Sequence, residues 1–356
     1  MIKTSKFLKT IFILQYLCGF YTDFFKRRKW NILFRILLSI SIVNILYGTL
    51  SMQRQNNVVL FSIIALFNLF DYTLAVILSF VGGNVLHYCH RKLLKLDGQM
   101  RWRKINLSMS LTISMFLILF FEKSYIAWGY YGSIKERFAL DYNWKDLVGF
   151  ILWCLVKFGL LFNDFIRSLT FEWIWIYMRT LRKTFQDTTF KRKKLVSNLQ
   201  TDDIERVIFG YIGTLESLNS MGLTFKILIF WNVSFAFIFT LIATVAIIYT
   251  PVRELSLFMT AEALYHIIIF LYPCVLIELT RSEVDKMKLL LTEIYTLSSD
   301  DKILTKAEDA LLLLEVRPFQ LVVFRLISMN IHLPLHFLAV MTSYVIVTVQ
   351  FTHAFG

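Results

Sequence analysis

The sequence predicts an all-α polytopic membrane protein with seven transmembrane helices, its N-terminus in the cytoplasm and its C-terminus on the extracellular side. Three observations lead to this prediction. The 356 residues are 57% hydrophobic, against about 45–50% in an ordinary soluble domain. Seven apolar stretches are each close to the roughly 20 helical residues that cross a bilayer core of about 30 Å. Basic residues are concentrated in alternate connecting segments, a bias that sets the orientation of a membrane protein.

The predicted spans are residues 32–52, 58–80, 105–128, 147–165, 223–249, 257–277 and 328–351. Two connecting segments, 166–222 and 279–327, are long, and the connections on the opposite side are short. We expect both long segments to form helices that pack together as a cytoplasmic anchor. The whole chain, 1–356, is predicted to be a single seven-helix domain.

The second long segment carries its own helix signals. Ser298, Ser299 and Asp300 form a helix-start pattern, and a helix is predicted from 300 to 327 with a bend at Pro318. Its expected buried face consists of Leu304, Ala307, Leu311 and Leu314.

The charge distribution sets the predicted orientation. Of the 38 Lys and Arg residues, 28 lie in segments 1–31, 81–104, 179–222 and 279–327, and six, including Lys123, are counted on the opposite side. The net charge of +13 therefore indicates contact with membrane lipid, and no nucleic acid partner is expected. Segment 1–31 reads as an interfacial or re-entrant helix, with a signal peptide as the alternative.

Charged residues inside predicted spans are candidates for function. Each costs roughly 2.5–3.5 kcal/mol on insertion scales, so it is expected to face a cavity or a partner. The candidates are Asp71, Lys157, Asp164 and Glu262. Pairing for structural reasons and lining of a ligand cavity both remain open for them.

A small-molecule pocket is predicted in the outer halves of spans three to six, where aromatic residues accompany a few polar ones. Packing or lipid contact is the alternative for each aromatic residue. The candidate pocket residues are Tyr125, Trp128, Trp153, Tyr249, Glu262, Tyr265 and His266.

No catalytic or cofactor motif is found, so neither enzyme activity nor a cofactor is expected. His332 and His336 lie one helical turn apart, but two ligands without a carboxylate or cysteine partner make a poor zinc site. We expect no metal.

The last span contains no Lys, Arg, Asp or Glu. Ser343, Val347 and Gln350 fall on one stripe of this helix, and Tyr344 and Phe351 lie on the adjacent one. Such a helix could form one wall of a pore, or it could be an ordinary bundle helix whose polar groups bond to neighbours.

The end of this span resembles a known signature. Ser343-Tyr344, five mostly apolar residues and Gln350-Phe351 are similar to the threonine-tyrosine, five hydrophobics, glutamine-phenylalanine motif of insect gustatory receptors, with Ser343 in place of the usual threonine. The resemblance implies a ligand-gated, non-selective cation channel in the plasma membrane of a sensory neuron. It also implies a homo- or heterotetramer with other gustatory receptors, and a small-molecule tastant.

The resemblance assigns roles to the last helix. It places Gln350 and Phe351 at the outer gate and Ser343, Tyr344 and Val347 along the pore. Sugar-responsive members carry an acidic residue where this sequence has Val345, which favours a bitter or divergent receptor. The alternative is a seven-span receptor that signals through a cytoplasmic partner; a transporter would be expected to show inverted repeats, which are not seen.

Overall fold

The computed structural model describes residues 59–82, 92, 110–140, 144–190, 201–219, 221–249, 253–324 and 327–355. The first predicted span, 32–52, and segment 1–31 lie outside these residues. The described elements are α1 (Val59–Gly82), α2 (Ser110–Leu140), α3 (Trp144–Phe190), α4 (Thr201–Asn219), α5 (Gly222–Tyr249), α6 (Arg253–Leu297), α7 (Asp301–Val316), β1 (Val322–Val323), β2 (Ile327–Ser328) and α8 (His332–Phe355).

Four of the described helices are long and apolar enough to cross a membrane. The stretches are Leu111–Trp128 in α2, Gly222–Thr244 in α5, Thr260–Leu297 in α6 and His332–Phe351 in α8. Helix α1 contains a shorter apolar stretch, Leu66–Leu78. Half of the α6 stretch is buried inside the protein, but only 17% of the α8 stretch is. Helix α8 therefore lies at the edge of the bundle formed by the described helices.

Two helices are much longer than a bilayer is thick. Helices α3 and α6 contain 47 and 45 residues, so each is roughly 70 Å long. Their C-terminal parts pack with α4 and α7 into a layer that we call the extramembrane layer. Met178 of α3, Tyr211 of α4, Met287 of α6 and Ala307 of α7 are fully buried there within one continuous hydrophobic core.

The extramembrane layer is also fixed by polar contacts. Arg182 of α3 donates to Glu283 of α6 at 2.8 Å, and Lys306 of α7 lies 2.7 Å from Glu205 of α4. The hydroxyl of Tyr211 donates to the carbonyl oxygen of Arg317. Burial raises the pKa of this hydroxyl to about 12, so it remains a donor at physiological pH.

Helix α7 begins where the sequence predicts and ends earlier. Asp300 caps it, because its Oδ1 accepts from the backbone N–H of Lys302 at 2.9 Å. The predicted continuation to residue 327 is wrong, because the helix ends at Val316. Pro318 disfavours helical geometry at the preceding residue, and Arg317 has left it, with φ −120° and ψ 71°.

The buried face of α7 is turned slightly from the predicted one. Ala307 and Leu314 are buried as expected, whereas Leu304 and Leu311 are half-buried. The remaining core positions are Ile303 and Ala310.

A short antiparallel hairpin connects the extramembrane layer to α8. In it Val322 pairs with Ser328 and Val323 with Ile327. Phe324 has φ 53°, in the left-handed region that few residues other than glycine adopt. Asn330 then caps α8, since its Oδ1 accepts from the backbone N–H groups of His332 and Leu333, both at 3.1 Å.

Candidate functional site

A buried carboxylate lies at the centre of the helix bundle. Glu262 of α6 is 0% exposed. Its Oε2 lies 3.0 Å from Nζ of Lys123 in α2, and its Oε1 lies 2.9 Å from Nζ of Lys157 in α3. Both lysines are at least 95% buried. We call Glu262, Lys123 and Lys157 the Glu262 cluster; it ties three helices together where water cannot screen the charges.

Polar and aromatic groups surround this cluster. Lys157 also donates to Oδ1 of Asn68 in α1 at 3.0 Å. His266, one turn after Glu262, has its Nε2 4.0 Å from Glu262 Oε2. The ring of Trp153 lies 5.9 Å from Nζ of Lys157. Four helices therefore contribute polar groups to one buried position.

A second buried network lies nearby along α3. Asp164 accepts from the hydroxyl of Tyr265 at 2.7 Å and pairs with Arg167 on its own helix. With its amide oriented so that the oxygen faces Arg167, Asn232 of α5 accepts two hydrogen bonds from this guanidinium, at 2.8 and 3.0 Å. Asp71 of α1 accepts from the indole N–H of Trp231 at 2.8 Å. We call Asp164, Arg167, Tyr265 and Asn232 the Asp164 network.

Tyr265 belongs to both groups. Its hydroxyl donates to Asp164, and its ring lies 3.8 Å from Nζ of Lys123, in cation–π contact. Tyr265 therefore connects the Glu262 cluster to the Asp164 network.

A small cavity of about 20 Å³ adjoins the Asp164 network, enough for about one water molecule. Its lining includes Arg167, Asn232, Pro273 and Met329. Pro273 interrupts the hydrogen bonding of α6, and Met329 directly precedes the residue that caps α8. The network is thus connected by packing to the start of the last helix.

The structure brings together part of the predicted pocket. Trp153, Glu262, Tyr265 and His266 lie around the Glu262 cluster. Tyr125 and Trp128 do not join them, being 79% and 75% exposed on the outer face of α2. The side chain of Tyr249 lies outside the described residues.

Lys123 is the functional candidate that the sequence prediction missed. It was counted as an outer-side basic residue, whereas it is 1% exposed inside the apolar stretch of α2. The available signal was Glu262 itself, because a carboxylate within a span requires a cation from another helix.

The last helix presents a broad uncharged face that the described part of its own chain leaves uncovered. Tyr344, Val347 and Phe351 are 52%, 45% and 62% exposed, and Ser343 and Gln350 are also exposed. The other side of the helix packs into the bundle through Phe337 and Met341, which are buried. Tyr344 lies at the border of the two sides, with its ring 5.8 Å from that of Phe237 in α5.

The metal candidates show no coordinating arrangement. His332 and His336 are both exposed. Within the described part of the chain, no group of three or more His, Cys, Asp or Glu residues is placed to hold a metal ion.

The helix arrangement matches solved structures over nearly its whole length. The insect olfactory receptor OR5 from Machilis hrabei in complex with eugenol superposes with a TM-score of 0.66 at 13% sequence identity, covering 98% of this chain and 99% of OR5. The fold is that of an insect olfactory receptor. A second OR5 structure gives a TM-score of 0.67 at 12% identity with the same coverage. No protein-family model matches the sequence, and no curated protein does.

The olfactory-receptor fold gives the chain the polytopic helical architecture predicted from the sequence. The apolar helices and this fold together indicate a multi-pass membrane protein.

Proposed function

We propose that this protein is a ligand-gated, non-selective cation channel of the insect gustatory receptor kind, formed by four subunits around a pore. The observation that carries the proposal is the uncovered, uncharged face of α8. A membrane-crossing helix suits the wall of a pore when the described part of its chain leaves open a face that bears Ser343, Val347 and Gln350. The olfactory-receptor fold supports the same conclusion.

The proposal includes seven spans, a cytoplasmic N-terminus and an extracellular C-terminus in the plasma membrane of a sensory neuron. The distribution of basic residues supports this orientation. Lys123 is buried within the span 105–128 and no longer counts among the outer-side basic residues, so the asymmetry is stronger. One domain with an extramembrane layer on the cytoplasmic side, and no enzyme activity, completes the assignment.

The ligand is proposed to be a small-molecule tastant, bitter or divergent rather than a sugar. OR5 has been solved with eugenol, which supports a small-molecule ligand by analogy. Val345 stands where sugar-responsive receptors carry an acidic residue. Activation by simple sugars alone would contradict this assignment.

The deciding experiment is electrical recording from the purified protein in planar bilayers, combined with its mass in the same detergent. We expect cation currents that rise with a panel of bitter compounds, and a mass of four subunits. Phospholipid without protein and protein denatured before reconstitution serve as controls. A folded protein that binds ligand but carries no current would favour a seven-span receptor that signals through a cytoplasmic partner.

A further inference from the structure

A cavity of about 110 Å³ lies between α6 and the connection that leads to α8. Its floor is apolar and buried, and includes Ile277, Val284, Leu314 and Met329. The cavity is somewhat smaller than the cavity of about 150 Å³ that holds benzene in an engineered protein. It can therefore take a small chemical group.

Four charged residues of α6 line the same cavity: Glu278, Arg281, Asp285 and Lys288. Their spacing of three, four and three residues puts them on one stripe of the helix. The charge alternates in sign along this stripe, which spans about 15 Å of helix. The cavity wall thus offers two cations and two carboxylates.

These four charges are not used in ion pairs with the described part of the chain. Neighbours on the same helix behave differently, since Glu283 accepts from Arg182 at 2.8 Å and from Lys286 at 3.2 Å. No ion pair within 4.0 Å joins Glu278, Arg281, Asp285 or Lys288 to another described residue. Their charges are available to a bound group.

The charge pattern of the sequence points to this cavity as the place where helices leave the membrane. Residues 263–277 of α6 contain no Lys, Arg, Asp or Glu, and Glu278 is the first charge after them. The apolar stretch of α8 begins at His332, two residues after Asn330 in the cavity wall. Two membrane boundaries therefore meet at this cavity, which is the level of lipid headgroups.

We propose that this cavity binds a phosphoethanolamine group, supplied by the headgroup of a membrane lipid. The phosphate lies against Arg281 and Lys288, and the ammonium donates to Glu278 and Asp285. A headgroup with a net negative charge matches the wall less well, because the two cations and two carboxylates of the wall sum to zero charge. A choline headgroup has no N–H to donate to them.

A group bound in the cavity would contact residues at the start of the last helix. Ser328 and Asn330 line it, and Asn330 caps α8 through two backbone N–H groups. A bound headgroup contacts the residues that fix where α8 begins. The lipid thereby holds the connection between the extramembrane layer and α8.

The test measures lipid binding to the purified full chain by native mass spectrometry, and it requires no channel activity. Phosphatidylethanolamine and phosphatidylcholine of identical acyl chains are titrated in parallel. We expect phosphatidylethanolamine to be retained about tenfold more tightly, a difference of about 1.4 kcal/mol, because choline cannot donate the charge-assisted hydrogen bonds that the ethanolamine ammonium makes. Equal retention of the two lipids would overturn the proposal.

Paired variants separate this cavity from other lipid contacts. The double variant Glu278→Gln, Asp285→Asn should abolish the preference for ethanolamine over choline. The double variant Arg281→Gln, Lys288→Gln should weaken the binding of both lipids. Glu293→Gln and Lys302→Gln change exposed residues of the extramembrane layer and should leave binding unchanged. A preference for ethanolamine that survives in both double variants would overturn the assignment to this cavity.

A competition experiment identifies whether the phosphoethanolamine group comes from a lipid or from a free molecule. Free phosphoethanolamine should compete with the lipid only at far higher concentration, because it lacks the acyl chains that concentrate the headgroup at the membrane. Competition by free phosphoethanolamine at the same concentration as the lipid would overturn the lipid source. Unchanged unfolding temperatures show that the variants remain folded.

Discussion

Tyr265 donates a hydrogen bond of 2.7 Å to Asp164, and this contact joins two helices of the buried bundle. The Tyr265 ring also lies 3.8 Å from the ammonium of Lys123. One side chain thus contacts both the Glu262 cluster and the Asp164 network. Beyond the Asp164 network, a small cavity leads through Pro273 to Met329, just before the last helix.

Replacing Tyr265 by Phe tests the hydrogen bond alone. The ring remains beneath Lys123, but the buried carboxylate of Asp164 loses a donor, which should cost about 1–3 kcal/mol of stability. The thermal unfolding temperature of the detergent-solubilised protein should fall accordingly. Tyr295→Phe, at an exposed position of α6, should change nothing. Equal effects of the two variants would show that the contact is not stabilising.

Glu262→Gln tests the Glu262 cluster. The change leaves Lys157 buried without the carboxylate that it contacts, and breaking a buried pair in this way costs about 3–5 kcal/mol. We expect poor yield of folded protein, measured by size-exclusion chromatography. Lys157→Met should cost far less in the Glu262→Gln background than in the wild type, because no paired charge then remains to be broken. Additive losses would show that the two residues act independently.

The extramembrane layer provides a test of assembly. Leu314 is 3% exposed within its own chain, so Leu314→Asp should unfold the subunit rather than only separate subunits. Leu312 and Val316 are 60% and 69% exposed on the same helix. Changing both to Asp should dissociate the proposed tetramer while the subunit stays folded, as measured by mass photometry and thermal unfolding. An intact tetramer in that folded variant would place the subunit contact elsewhere.

Orientation in the membrane can be tested by epitope tags. A tag before Met1 should react with antibody only after permeabilisation, because the predicted inner segments carry 28 basic residues. A tag after Gly356 should react on intact cells. Antibody against a cytoplasmic marker reports whether the cells are intact. The reverse pattern would refute the proposed orientation.

The proposed gate is tested at Phe351 and Gln350. Phe351→Ala removes a hydrophobic constriction, so current without ligand should rise. Gln350→Glu adds a ring of negative charge and should shift permeation toward divalent cations. Bilayer recordings with monovalent and divalent reversal potentials measure both effects. Leu335→Ala, at an exposed position near the start of α8, is the matched control. Wild-type currents in both gate variants would exclude α8 as the pore wall.

Much of the helical architecture could be predicted from the sequence because apolar length is a strong signal in a membrane protein. The orientation of side chains around each helix could not. In a lipid environment both the buried and the lipid-facing sides are apolar, so periodicity does not separate them. Tyr125 and Trp128 were assigned to the pocket for this reason, although they lie on the exposed face of α2.

Local errors have equally specific causes. Lys123 lies near the end of the predicted span 105–128 and was counted with the outer-side basic residues; only its contact with Glu262 reveals that it is buried. The leucine spacing of α7 suggested a helix to residue 327, but the backbone restriction imposed by Pro318 ends it first.

Helix α8 adds little to the core of its own chain, with only 17% of its apolar stretch buried there. The remaining helices can therefore complete their packing before any partner is met. Folding of the subunit and assembly of four subunits into the proposed pore are then separate events, and assembly depends on protein concentration by mass action. Newly made subunits would pass through a folded, non-conducting stage in which α8 is exposed to lipid, so expression level sets how many of them become channels.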